Sequence, residues 1–453
     1  MKKKKMLACV CAVAMIAGMF TPWSNVEVQA ARETEPNAVT QNASKMRETL
    51  NFNNDWGFFR GDLEGAQAEA FDDGGFVDVT IPHTMRLEKK HNNTTNGVYK
   101  GIGWYRKYFT LDESYQQKKL QLKFEGVMTD SDIYLNGEKI YTRNGGYVGF
   151  TIDITDKVKF GEENVLAVRV SNADNADTPP GKPDSRLDFH YYGGIYRDVE
   201  LEVSEKTYVT DELAAGEVAG GGIFVTYSDV SEESADVHVK THVQNDNEDA
   251  KNVYTKQILK DANDNIVAEV TSEEETIASG EGTHFEQEIV VEDPTLWDVD
   301  EPYLYELVTE IYENDAKVDE VTTKAGIRTI AYKSDGFYLN GERVYLRGAN
   351  RHQSYQNVGD AAPNSMQYRD AVIMKENGFN AVRATHYPQD PAFLDACDEI
   401  GLLVIECQPG WQNFTNTDVF YQRTLRDTRE MIRRDRNRPS VVLWETSLNE
   451  TAY

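Results

Sequence analysis

Short runs of alternating apolar and polar residues fill the first two thirds of the chain, and the rhythm changes after Ser334. Between Glu48 and Ser204 the runs at 76–81, 104–111, 119–124, 132–135, 165–170 and 199–203 carry the two-residue period of half-buried strands. Asn136-Gly137 and Asn144-Gly145-Gly146 separate some of them. Asn-Gly is a strong hairpin signal because both central residues of the turn that matches strand twist take positive φ. An all-β sandwich is predicted here. A second alternating segment covers 206–331, with strands expected at 235–244 and 285–291 and an acidic loop at 272–276.

Past Ser334 the pattern predicts strands at 344–348, 381–383, 402–406 and 441–444, with helices near 365–377, 390–400 and 418–435. That alternation implies a parallel sheet with crossover helices. In the last helix Tyr421, Leu425, Thr428 and Ile432 recur on one face, Asp418 is placed to cap the start, and Arg433, Arg434 and Arg436 suit the negative end of the helix dipole. Tyr-Leu-Asn-Gly-Glu occurs at both 134–138 and 338–342, which shared turn chemistry explains better than a domain repeat.

Four Lys, an apolar stretch from Met6 to Phe20 and small residues ending at Ala30 follow one another at the N-terminus, the order of an export signal. Residues 1–30 are expected to be removed, 31–47 to form a flexible lead-in, and the protein to be secreted or held at the cell surface, with no membrane insertion after cleavage. The formal net charge of −29, made more negative by losing those lysines, argues against nucleic acid or anionic membranes as partners. Cys397 and Cys407 would then be the remaining cysteines, on a helix and at a strand end, and are expected to be buried free thiols.

The chemistry concentrates near the end of the chain. A strand at 440–444 rich in β-formers suits burial on both faces, and Asn449-Glu450 follows where α/β barrels place catalytic groups. The run from Asp435 through Pro439 and Trp444 to Asn449-Glu450 resembles the acid/base signature of glycoside hydrolase family 2. A second resemblance lies at Asn380, Arg383, His386, Tyr387 and Pro388, continuing to Phe393, Asp398 and 401–405. Gly103-Trp104-Tyr105, Tyr134-Leu135-Asn136-Gly137 and 193–199 match landmarks of the family's opening domain. Glu445 departs from the pattern, standing where the family more often has Gly or Ser. Cys407 departs as well, replacing an acidic residue.

The resemblance implies a jelly-roll sugar-binding domain at 48–205, an immunoglobulin-like β-sandwich at 206–331, and the first half of a (β/α)8 TIM barrel at 332–453. A full barrel takes about 250 residues, so the segment after Ser334 is expected to supply roughly half of one. The implied activity is a retaining β-galactosidase acting on β-galactoside oligosaccharides or glycans, with the chain expected to stop before the nucleophile and to be inactive alone. Glu450 would be the proton donor and Asn449 would bind the sugar 2-OH. His386, His352 and Asp188 would hold hydroxyls, Arg383 would orient the nucleophile, and Glu406 would be a polar wall residue. Asp188 would act directly or through a monovalent ion. No cofactor is firmly implied, and magnesium lacks support because the Glu-x-His arrangement is missing at Glu406. A homo-oligomer is compatible with the sequence. The alternatives are a β-glucuronidase or β-mannosidase of the same family, or a non-catalytic carbohydrate-binding fragment.

Overall fold

The computed structural model describes residues 46–85, 98–410 and 413–447. The leading sandwich packs a four-stranded sheet, ordered Glu48–Asn51, Val199–Ser204, Lys119–Phe124 and Phe150–Asp153, against a six-stranded one that contains Trp56–Arg60, Ile102–Thr110, Glu163–Ser171 and Asp130–Leu135. Neighbouring strands are antiparallel. Alternation explains the arrangement: along Asp130–Leu135 the side chains of Ser131, Ile133 and Leu135 are buried and those between them are half-buried. The core holds Trp56, Tyr105, Leu122, Phe124, Ile133, Leu166, Val168 and Leu201. The expected strand at 76–81 shortens to Val77–Val79 at a sheet edge.

Asn136 and Gly137 have φ of 52° and 83°, and Leu135 pairs directly with Glu138, so the predicted two-residue turn forms. Asn340 and Gly341 repeat that geometry between Leu339 and Glu342.

The second sandwich pairs Ser234–Asn245 with Gly282–Glu292 in one sheet, and Lys251–Lys260 with Tyr305–Glu313 in the other. Val237, Val239, Val253, Leu259, Phe285, Leu307 and Ile311 are buried between the sheets. A polar row crosses this interior with its hydrogen bonds made: Thr255 donates to Gln287 at 2.6 Å and Thr309 to Gln257 at 2.7 Å. The acidic run expected as a loop is partly a strand, Glu275–Ile277, paired with Lys251–Val253.

Four parallel strands follow in sequential order: β1 (Gly348–Arg351), β2 (Ala381–Ala384), β3 (Leu403–Cys407) and β4 (Val441–Glu445). They are joined by α1 (Asn364–Glu376), α2 (Pro391–Ile400) and α3 (Asp418–Asp435). This is the leading part of a (β/α)8 barrel, with Val382, Phe393, Leu394, Leu402, Val404 and Val441 packed between sheet and helices. The strand expected at 344–348 is corrected. Glu342–Val344 closes an antiparallel hairpin, and β1 starts only at Gly348. Asn380 fixes the intervening link, accepting from Arg347 N at 2.7 Å and donating to Tyr345 O at 3.0 Å.

Two expectations for α3 also change. Thr417, not Asp418, is the cap, its hydroxyl accepting from Phe420 N at 3.2 Å. The buried face is Phe420, Asp427, Met431 and Asp435, while Tyr421 is 51% exposed. Ion pairs decide that orientation: buried Arg143 of the first sandwich meets Glu430 at 2.6 Å and Asp427 at 3.4 Å.

The segment between α3 and β4 is held from outside the barrel. Arg436 and Asn437 donate to Gly220 O and Ile223 O of the second sandwich, both at 2.8 Å, and Asn437 accepts from Val225 N. Arg438 pairs with Asp395 and Asp398 of α2. Gly326 lets Pro439 approach, since a Cβ there would lie 2.6 Å from the proline ring. Cys397 and Cys407 are buried and free. Among the described residues no helix is long and apolar enough to cross a membrane.

Candidate functional site

Inward-pointing residues of a parallel barrel alternate with residues that face the helices. On β2, Val382 joins the helix-side core, so Arg383 points the other way. There its guanidinium meets Glu445 at the end of β4 in a two-pronged pair, with Nε to Oε2 and Nη2 to Oε1 both at 2.7 Å. The third nitrogen, Nη1, donates to Asn350 of β1 at 3.4 Å. From β3 the Cys407 thiol donates to Glu445 Oε2 at 2.7 Å. Burial alone would raise the Glu445 carboxyl, but hydrogen bonds from Arg383 and Cys407 outweigh it and hold the group below the usual Glu range.

His386 lies just past β2 and is 5% exposed. Burial, reinforced by the positive charge of Arg383 and the nearby His352, pushes it down to about 3, so it is neutral at physiological pH. His352, just past β1, is lowered by burial, and Arg351 and Arg383 push the same way against the opposing pull of Asp188. Its Nδ1 lies 3.1 Å from the Tyr387 hydroxyl. The two imidazoles stand 5.6 Å apart at 76°.

The first sandwich reaches this place through the loop carrying Asp188 and Phe189. Phe189 packs on His352 at 5.4 Å and on Tyr387 at 5.2 Å, and Tyr147 stacks on Tyr387 at 4.3 Å. Asp188 is exposed, and its charge acts on His352 and Lys182. Arg197 anchors the seam, donating to Gln353 at 2.9 Å and to Pro388 O at 2.8 Å.

Four of the seven residues given site roles from sequence, Arg383, His386, His352 and Asp188, therefore gather at the C-terminal strand edge. Asn449 and Glu450 lie outside the described residues. The expectation for Glu406 is corrected: it faces the helices, where Oε1 accepts from Gln389 N at 3.0 Å and lies 3.6 Å from Arg434. Burial, then Asp435, outweigh Arg434 and push it up to about 8. Among the described residues no group of three or more His, Cys, Asp or Glu is arranged to hold a metal ion.

Sequence reasoning gave Glu445, Phe189, Tyr147 and Arg197 no role at the site. Glu445 carried a signal as a charged residue directly after a strand tryptophan, and Phe189 adjoins Asp188. Tyr147 and Arg197 carried none that separates them from core and landmark residues.

A β-sandwich that lends a loop to the polar mouth of a parallel barrel sheet defines a modular protein of sandwich and barrel domains. The chain belongs to glycosyl hydrolase family 2: residues 65–204 match its sugar binding domain, 221–328 the family's central domain, and 330–453 its TIM barrel domain. It is 36% identical to a β-galactosidase of Thermoanaerobacter pseudethanolicus over 415 residues, which is 89% of this chain and 52% of that protein. A β-galactosidase of Bacteroides ovatus is 36% identical over 88% of this chain and 46% of its own length. Among solved structures, a Bacteroides uniformis β-glucuronidase superposes with a TM-score of 0.81 at 31% identity, over 88% of this chain and 46% of that one. The chain thus spans about half the length of the curated relatives it matches.

Proposed function

We propose that this chain is the leading part of an exported retaining β-galactosidase. Retention requires one carboxylic acid to protonate the glycosidic oxygen and a second carboxylate about 5 to 5.5 Å away to attack the anomeric carbon. Glu450 is the acid, Asn449 binds the 2-OH, and the attacking carboxylate comes from beyond Tyr453, oriented by Arg383. Both imidazoles are neutral, and with His352 Nδ1 on the Tyr387 hydroxyl its other ring nitrogen is the one proposed to meet a sugar hydroxyl, alongside the His386 ring. Asp188 supplies an acceptor from the first sandwich. Export rests on the charged, apolar and small-residue order of residues 1–30.

The observation that carries this reading is the convergence of Arg383, His386, His352 and the Asp188–Phe189 loop at one strand edge. The choice of galactose is supported by relatives named β-galactosidases at 35–36% identity. A β-glucuronidase is the second reading, favoured by the solved β-glucuronidase that superposes at a TM-score of 0.81. The complete protein should be assayed on aryl β-galactoside, β-glucuronide and β-mannoside. The highest kcat/KM is expected on the galactoside, and a glucuronide preference would replace this reading with the second.

A further inference from the structure

The Tyr387 hydroxyl, just past β2, meets His352 Nδ1 at 3.1 Å and also accepts from Gln353 N at 3.4 Å. The side chain is 1% exposed, so bulk water offers the phenol no acceptor. Burial, then the negative charge of Asp360, hold it well above the usual tyrosine range, and it keeps its proton. Among the described residues His352 Nδ1 is the acceptor within hydrogen-bond reach of that proton. With hydrogen on Nδ1 instead, the Tyr387 O–H would be buried without a partner, a penalty larger than the net worth of one hydrogen bond. Two rings of the first sandwich fix the phenol: Tyr147 stacks on it at 4.3 Å and 9°, and Phe189 meets it edge-on at 5.2 Å.

We propose that Tyr387 is a positioning residue: by donating to His352 Nδ1 it fixes the imidazole in the tautomer whose Nε2 carries the hydrogen, so that His352 presents a donor to a sugar oxygen. The imidazole is half-buried and held neutral by burial, so one nitrogen donates and the other accepts, and the bond at the second decides which is which. A ring free to take either tautomer would lose affinity in selecting one, and pre-organisation avoids that loss. The first sandwich thereby shapes the barrel site through Tyr147 as well as through the Asp188 loop. The inference rests on the glycosidase reading above and adds to it the direction of one hydrogen bond.

Neutron diffraction from deuterated crystals of the complete protein reads the hydrogen positions directly. Deuterium is expected on His352 Nε2 and on the Tyr387 oxygen, with none on His352 Nδ1. Tyr387→Phe keeps both ring contacts and removes the hydroxyl alone. Its kcat/KM, on whichever of aryl β-galactoside, β-glucuronide and β-mannoside is turned over best, should fall about fivefold to tenfold, the scale of one neutral hydrogen bond. In a His352→Ala background the same change should cost less than about twofold, because Tyr387 acts through that ring. Deuterium on Nδ1, an unaltered kcat/KM, or an equal loss with and without His352 overturns the positioning role and leaves the glycosidase reading standing. No turnover of any of the three glycosides by the wild type overturns both. If thermal melts show that Tyr387→Phe does not fold, the wild-type neutron map alone decides.

Discussion

Glu445 and Glu406 stand on neighbouring strands of one sheet, each beside an arginine, yet they hold protons in opposite ways. Glu445 faces the mouth and receives two Arg383 donors and the Cys407 thiol, all at 2.7 Å. Glu406 faces the helices, where Arg434 remains 3.6 Å away because its guanidinium is occupied by Asp435 at 2.6 Å. The first carboxyl is held below the usual Glu range and the second is pushed up to about 8. An arginine nearby is therefore not sufficient to ionise a buried acid. Full burial is the larger cause at Glu406, and an arginine offsets burial only where its donors reach the carboxylate, as they do at Glu445.

The largest expected effect tests the mouth. In the complete protein Glu450→Gln should lose about 10² to 10⁴ in kcat on glycosides with poor leaving groups, the usual contribution of general acid catalysis. Activated phenol leaving groups should suffer much less in the glycosylation step, and equal loss across a leaving-group series would make Glu450 structural.

The helix side should respond in stability. Arg434→Met leaves buried Asp435 without its nearest cation, and breaking such a pair typically costs about 3–5 kcal/mol. Chemical denaturation of the chain should show this, whereas a change below about 1 kcal/mol would mean that Arg438, also paired with Asp435, suffices.

How much of this contrast was legible beforehand differs by residue. The Asn136-Gly137 and Asn340-Gly341 turns were readable because their geometry is set by two residues and their immediate neighbours. Arg383, His386 and His352 were readable through motifs at strand ends. The start of β1 was not, because Asn380, far along the chain, holds the link at 345–347. Nor was the buried face of α3, since hydropathy cannot anticipate that Asp427 and Asp435 are buried by arginines. The pairing of Glu445 with Arg383 crosses from β4 to β2, which no local pattern contains.

A smaller effect should separate the sandwich loop from the barrel. If Asp188 binds a sugar hydroxyl, Asp188→Ala should reduce kcat/KM on galactosides by the equivalent of about 1.5–3 kcal/mol, the scale of one charge-assisted hydrogen bond. Denaturation should barely change, because Asp188 is exposed. Unaltered kcat/KM would remove Asp188 from the site.

The smallest effect concerns pH. Glu406 has a folded value raised to about 8, so its contribution to stability is present below the ordinary Glu value and is lost as pH rises toward 8. Glu406→Gln should then be more stable than wild type at pH 9 by on the order of 1 kcal/mol, with no such gain at pH 4. His386, lowered to about 3, has the opposite sign: wild type should lose stability as pH falls below about 6.5, and His386→Gln should flatten that acid limb. Parallel pH curves for wild type and either variant would remove the corresponding assignment.

The residues from Arg436 to Pro439 look like a lead-in to β4, but the second sandwich holds them, through Gly220, Ile223, Val225 and Gly326. The three domains are therefore not interchangeable cassettes. A chimera that imports a foreign second sandwich would keep every barrel residue and still lose the brace behind the strand that leads to Glu450. Grafting should succeed only when the 436–439 segment travels with the sandwich that holds it.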